Sequence, residues 1–141
     1  MDYVFKSTAK MRVRYGETDQ MGVAYYGNYA QYFEVGRVEA LREIGMTYRS
    51  MEESGVMLPV SEFSVKYLAS AQYDDLITVE TSITNVSGAR IRFDYQLFNE
   101  ENKCLAKAHT VLVFVNKETM RPIGAPDNFL RILEKYQVIQ D

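Results

Sequence analysis

The chain has a single cysteine, Cys104, and a single histidine, His109, in 141 residues. A lone cysteine forbids an internal disulfide, and one residue of each kind cannot furnish an ordinary zinc site. Metal chemistry would have to rest on carboxylates alone, and their spacing shows no such cluster, so no metal site is expected. Basic residues are not in excess: 16 Lys and Arg face 19 Asp and Glu, a net charge of −3. Binding to nucleic acid needs a clustered surplus of cations to neutralise phosphates, and that class is set aside. Long apolar runs are missing as well. The longest, VLVFV at residues 111–115, is far too short to cross a bilayer, and the opening MDYVFKSTAK has no apolar core of signal-peptide length. A cytosolic protein with no membrane span is expected. Repeats, linkers and low-complexity segments are absent, and 47% hydrophobic with 25% charged residues fits one domain over residues 1–141.

Alternation organises most of what is there. From Lys10 to Tyr15, Met11, Val13 and Tyr15 alternate with Lys10, Arg12 and Arg14, the period of a strand with one buried face. After Pro59, Phe63, Val65, Tyr67 and Ala69 do the same. Ile77, Val79, Thr81 and Ile83 share one face of the next strand, and Ile91, Phe93, Tyr95 and Leu97 one face of the strand after it. Ser87-Gly88 and the NEENK segment read as hairpin turns. The last run, CLAKAHTVLVFV, is apolar on both faces at its end, as a central strand would be. Between the first two strands lies a helical pattern over residues 28–44, with apolar residues nearly all round, Asn28 placed to cap its start and Gly45 placed to stop it. A short helical turn is expected within MTYRSMEESG, and a closing helix in DNFLRILEKYQ after Pro126. A helix that apolar must be wrapped, and a curved antiparallel sheet is the only partner available, which gives an α+β domain.

The chemistry concentrates in ETDQMGVAYYGNY, residues 17–29. Asp19 there can be a solvated turn former, a helix cap, or a reacting group. The cap is the weaker of these, because Gly22 and Gly27 intervene and Asn28 is better placed. As a reacting group, an acid just upstream of a buried helix sits near unpaired N–H groups that carry partial positive charge. Those amides can polarise a carbonyl while the carboxylate attacks it or activates water. This geometry leaves thioester, ester and amide substrates open.

The stretch VRYGETDQMGVAYYGNYAQYFEVGRVEAL resembles the opening of the hotdog-fold acyl-CoA thioesterases of the 4-hydroxybenzoyl-CoA thioesterase type. Their motif, Asp-x-x-Gly-aliphatic-x-aromatic-x-x-Asn/Ser-Tyr, is met by Asp19, Gly22, Val23, Tyr25, Asn28 and Tyr29. The likeness continues through KYLASAQYDDLITVE and the RPIGAP turn. It implies a five-stranded antiparallel sheet wrapped around the helix of residues 28–44, assembled as a homodimer or homotetramer with active sites at the subunit boundary. It implies Asp19 as nucleophile or general base, and the backbone N–H near Tyr26 as the donor to the carbonyl. Many relatives carry His where this chain has Tyr26, which leaves the backbone donor intact. Tyr25 and Tyr29 flank the entrance, and Tyr25 and Asn28 are candidate substrate contacts. An acyl-CoA, or an acyl group on acyl carrier protein, is the implied ligand, and its hydrolysis requires no metal or organic cofactor; the acyl group stays open, since the aromatic-rich entrance admits a small aryl or a short to medium fatty chain alike.

Phosphates of CoA call for nearby basic groups. Lys66, Arg90 and Arg92 are candidates, Arg90 foremost, with hairpin donors at Ser87 and Gly88; the plain alternative is a solvated strand face. Glu34, the second candidate acid, is spaced for an ion pair with Arg37 on the same helix. His109 lacks a nucleophile at triad-like spacing and reads as structural. Asp74 and Asp75 read as turn formers. The other class of function consistent with the same residues is a non-catalytic hotdog module that binds an acyl-CoA or acyl carrier protein; a hydratase on this scaffold would need a better-placed histidine.

Overall fold

A computed structural model describes residues 1–139. In chain order its elements are β1 (Asp2–Arg12), α1 (Tyr29–Glu43), α2 (Tyr48–Glu53), β2 (Val56–Met57), β3 (Val60–Tyr67), β4 (Leu76–Ser87), β5 (Arg90–Phe98), β6 (Cys104–Val113), β7 (Val115–Asn116) and α3 (Asp127–Leu133). Five strands form one antiparallel sheet in the order β1-β4-β5-β6-β3, and β2 and β7 form a small second sheet. The expected α+β architecture, a five-stranded sheet against a long helix with a closing helix, is the one observed.

The inner face of the sheet carries the core. Ile77, Val79 and Ile83 of β4 and Ile91, Phe93 and Leu97 of β5 are fully buried, as their alternation requires. β6 lies between β5 and β3 and is paired along both edges, the central position expected for it. The turn at Ser87-Gly88 places Gly88 at φ +60°, and in the next hairpin Asn102 takes φ +61° while the Asn99 carboxamide accepts from the amides of Glu101 and Lys103.

Two boundaries differ from the sequence reading. The first strand lies at Asp2–Arg12, earlier than Lys10–Tyr15, with Tyr3, Phe5 and Ser7 on its buried face. Its register on β4 runs from Asp2 opposite Asn85 to Arg12 opposite Leu76, the first residue of β4, and beyond it only Val13 is still bonded, to Asp74 and Asp75. Tyr15 therefore opens a 3-10 turn over Tyr15–Glu17 and is 78% exposed instead of facing the core. The pair of strands β2 and β7 is too short to leave a periodic signal.

α1 is covered on one side only. Tyr29, Tyr32, Phe33, Gly36, Arg37, Ala40 and Leu41 are buried at helical spacing, while Val35 on the far side is 44% exposed. Its end is the one Gly45 suggests: at φ +89° the Gly45 amide donates to the Arg42 carbonyl and the Met46 amide to the Leu41 carbonyl, the paired closure of a Schellman motif. At its middle the helix touches the sheet. A Cβ on Gly36 would stand 2.5 Å from Thr81 Oγ1 and 2.6 Å from Val79 Cγ1, so only glycine permits this approach to β4. Thr81 Oγ1 is buried there with no hydrogen-bond partner. Gly36→Ala should push α1 off β4 and destabilise the fold by about 1–3 kcal/mol, the usual cost of overpacking; urea unfolding with an unchanged m-value checks this.

Candidate active site

The segment between β1 and α1 is built as a small hairpin stapled to the helix. Thr18 pairs with Ala24, and Val23 with Gln72, as isolated bridges. Within the hairpin the Asp19 amide donates to the Val23 carbonyl at 3.0 Å, and the Gly22 amide returns to the Asp19 carbonyl at 3.0 Å. Gly22, at φ +76°, supplies the backbone that closes this turn. Asp19 Oδ1 accepts from the Met21 amide at 2.9 Å, an Asx turn that orients the carboxylate from below. Asp19 is exposed, and it lines an open cavity of about 630 Å³ with Tyr15, Thr18, Gln20, Gly22 and Tyr73. Tyr15 and Tyr73 meet edge to face with centroids 5.7 Å apart, making one wall of that cavity.

The hairpin is held to the helix through Glu17. Its carbonyl accepts from the Tyr25 amide at 2.8 Å and from Asn28 Nδ2 at 2.8 Å. Its carboxylate is buried and accepts from the Arg14 amide at 2.8 Å, from Arg14 Nε and Nη2 at 3.2 and 3.1 Å, and from the Tyr32 hydroxyl at 3.2 Å. Burial works to raise the Glu17 pKa, but the hydrogen bonds from the Arg14 amide and side chain and from Tyr32, with the Arg14 charge, outweigh it and hold the carboxyl below the ordinary glutamate range. The same burial, with the Glu17 charge alongside, pushes the Tyr32 phenol well above its usual value.

Asn28 therefore does not cap the helix with its side chain. It has helical dihedrals (φ −81°, ψ −13°) and ends a single 3-10 turn, Tyr26–Asn28, that leads into α1. Its carboxamide is spent on the Glu17 carbonyl instead, which corrects the capping role expected for it. Within the turn the Asn28 amide donates to the Tyr25 carbonyl and the Tyr29 amide to the Tyr26 carbonyl. The amides of Tyr26 and Gly27, at the first positions of the turn, donate to no backbone carbonyl among the described residues, as the first amides of a helix do. The Tyr25 ring folds over Gly27, where an added Cβ would come within 2.6 Å of Tyr25 Cε2. The Tyr25 and Tyr26 rings lie 4.6 Å apart, and Tyr29 is buried beneath them with its hydroxyl accepting from the Ala71 amide at 3.2 Å.

Asp19, Tyr25, Tyr26 and Asn28 thus belong to one continuous clasp around the helix entrance. Lys66 is exposed on the edge strand β3, next to Tyr67, whose hydroxyl reaches the Tyr26 carbonyl at 3.1 Å. Ser87, Gly88 and Arg90 are elsewhere. β4 starts beside the loop, where Leu76 pairs with Arg12, and ends at Ser87, so these three lie at the opposite end of the sheet within one protomer, about 35 Å away by strand rise. The Gly88 carbonyl accepts from the Ala125 amide there, and Arg92 is engaged by Asp94 through two hydrogen bonds of 3.1 Å.

The ion pair expected between Glu34 and Arg37 is not formed among the described residues. Arg37 turns inward and is buried, its Nε donating to the Tyr48 hydroxyl at 2.6 Å and its Nη1 to the Tyr95 hydroxyl at 3.1 Å, while Glu34 is exposed. His109 pairs with Glu62 at 3.0 Å across β6 and β3, a structural contact as expected. The residue that the sequence reading passed over is Glu17. Its three-residue spacing from Arg14 was the available signal, but the partner that completes it, Tyr32, is close only after folding.

The whole arrangement occurs on a known scaffold. The family description "Thioesterase-like superfamily" matches residues 13–133. YneP of Bacillus subtilis is 34% identical over 83% of this chain and 85% of its own length. The acyl-CoA thioester hydrolase YbgC of Escherichia coli is 31% identical over 85% of this chain and 90% of its own. The crystal structure of a DHNA-CoA thioesterase from Staphylococcus aureus superposes with a TM-score of 0.88 at 32% identity, covering 92% of this chain and 89% of that one. The chain belongs to the thioesterase-like superfamily and is a hotdog-fold thioester hydrolase.

The sign of the Glu17 shift gives a test of the staple. A carboxyl held below its unfolded pKa stabilises the fold above the ordinary glutamate value, about pH 4.3, and that contribution fades as the pH falls through the lower folded value. Glu17→Gln should therefore cost about 1–3 kcal/mol at pH 7, and its deficit against the parent chain should shrink towards pH 3, as read by denaturant unfolding at the two pH values.

Proposed function

We propose that this protein hydrolyses acyl-CoA thioesters of small aryl or short to medium fatty acids, with Asp19 as nucleophile or general base. The observation that carries the reading is the Glu17 clasp, which ties the turn bearing Asp19 to the helix entrance through Tyr25 and Asn28. A thioester carbonyl bound between the two would meet the Tyr26 and Gly27 amides at its oxygen and the Asp19 carboxylate at its carbon. If Asp19 attacks directly, its oxygen bonds to the carbonyl carbon, the C–S bond breaks, CoA leaves as thiolate, and water then cleaves the acyl-aspartyl anhydride. If it acts as a base, it takes a proton from the attacking water and the C–S bond breaks as the tetrahedral oxyanion collapses. In either course the developing negative charge falls on the oxygen facing the amides, where preorganised donors help most.

The names of YbgC and of the Staphylococcus aureus enzyme support CoA as the leaving group. The open cavity beside Asp19, walled by Tyr15 and Tyr73, suits a planar aryl or a flexible fatty acyl group.

Lys66 is proposed to meet the CoA phosphates near the helix entrance. Ser87, Gly88 and Arg90, at the far end of the sheet, can join the same site only from a second copy. That requirement agrees with an active site at a subunit boundary, and the open edge strand β3 offers the seam: Val60 is 49%, Phe63 41% and Tyr67 45% exposed along it. A homodimer or homotetramer is accordingly proposed, acting on soluble acyl-CoA in the cytosol.

Asp19→Asn should keep the fold and lose about 100- to 10,000-fold in kcat, measured by thiol release from benzoyl-, hexanoyl- and decanoyl-CoA. A variant with near-wild-type turnover contradicts the role, and ligand binding without thiol release by the parent chain would favour a binding module. Light scattering should return a mass of twice or four times the protomer; a monomer that hydrolyses acyl-CoA at full rate contradicts the shared site.

A further inference from the structure

We propose, building on the reading above, that Tyr67 is a positioning residue: its hydroxyl sets the direction of the Tyr26–Gly27 peptide and so aims the Gly27 N–H at the substrate carbonyl. The Tyr67 hydroxyl donates to the Tyr26 carbonyl at 3.1 Å, and the Tyr29 amide donates to the same oxygen along the helix. In a planar trans peptide the carbonyl oxygen and the amide hydrogen point in opposite directions. A bond that fixes the Tyr26 oxygen therefore fixes the Gly27 N–H, one of the two amides at the helix entrance left without a backbone acceptor. The same bond draws electron density towards the oxygen and strengthens the N–H as a donor on the other side.

The surroundings make Tyr67 a firm strut. Its ring meets Tyr29 edge to face at 5.0 Å and Tyr26 at 6.1 Å. Tyr29 is buried and its own hydroxyl is tied to the Ala71 amide at 3.2 Å, so the ring against which Tyr67 leans cannot swing. Tyr67 also ends β3, the open edge of the sheet, and opposite it stands Ala106 of β6. The helix entrance is thus braced from two sides by different parts of the chain: the Glu17 carbonyl from the hairpin and the Tyr67 hydroxyl from the edge strand. Without the hydroxyl, the exposed first turn, of which Gly27 is the least constrained member, keeps only the Tyr29 amide on the Tyr26 oxygen.

Tyr67→Phe separates this role from packing, because it keeps the ring contacts and removes the hydrogen bond alone. With the acyl-CoA that the parent chain turns over fastest among benzoyl-, hexanoyl- and decanoyl-CoA, kcat should fall roughly 3- to 10-fold. KM should be unchanged, and the thermal midpoint should move by less than about 3 °C. A second readout uses the Asp19→Asn background, where the bound thioester persists: its carbonyl stretching frequency should shift towards the solution value when Tyr67→Phe is added. An unchanged kcat with an unchanged carbonyl frequency overturns the proposal, as does a raised KM at constant kcat, which would make Tyr67 a direct substrate contact. Those outcomes leave the role of Asp19 standing. An Asp19→Asn variant that turns over normally, or a parent chain that releases no thiol, sinks the underlying reading instead and this proposal with it.

Discussion

The carbonyl oxygen of Glu17 is the point on which the site depends. By accepting from both the Tyr25 amide and the Asn28 carboxamide it ties two stretches of chain that would otherwise be independent loops. The Glu17 side chain, gripped by Arg14 and Tyr32, keeps that carbonyl from rotating away. Loops are usually the softest parts of a domain, and a reacting group on a soft loop loses most of its advantage. Here the turn bearing Asp19 begins two residues beyond a doubly anchored peptide, so its freedom is that of one tight turn closed on itself by the Asp19 and Gly22 amides.

The remainder of the fold holds the other half of the site in place. α1 lies on β1 and β4, seated by the close approach of Gly36 to Val79 and Thr81. That seating fixes the middle of the helix, while its N-terminal part meets the sheet through Tyr29 on Tyr67 and Phe33 on Tyr95. β3 is left open, with Phe63 reaching Phe33 at 6.2 Å yet 41% exposed. The site at a subunit boundary proposed above would use an open face of this kind beside Asp19. The inward-turned Arg37, satisfied by phenols in place of a carboxylate, leaves Glu34 exposed on the flank of α1.

Much of this was legible in the residues themselves. Strands whose inner faces are strictly alternating, such as Ile91-Phe93-Tyr95-Leu97, and the helix stop at Gly45 are local patterns, and local patterns survive folding. The helix entrance was legible as a motif but not as a geometry. Asn28 has the right chemistry for a cap, yet a preceding 3-10 turn places it inside the helical path and its side chain finds the Glu17 carbonyl instead. The alternation at Lys10–Tyr15 shows a strand but not its ends, and only its register on β4 shows that pairing reaches back to Asp2. Long-range partners, such as Tyr67 on the Tyr26 carbonyl across 41 positions of sequence, leave no signal in spacing. The separation of Ser87, Gly88 and Arg90 from Asp19 is of the same kind, since it follows from the length of β4.

The most direct measurement is a crystal structure of the Asp19→Asn chain with an intact acyl-CoA bound. The account predicts the thioester oxygen within hydrogen-bond distance of the Tyr26 or Gly27 amide, and the side chain of residue 19 facing the carbonyl carbon. A thioester seated away from the helix mouth, with residue 19 turned to solvent, would contradict it.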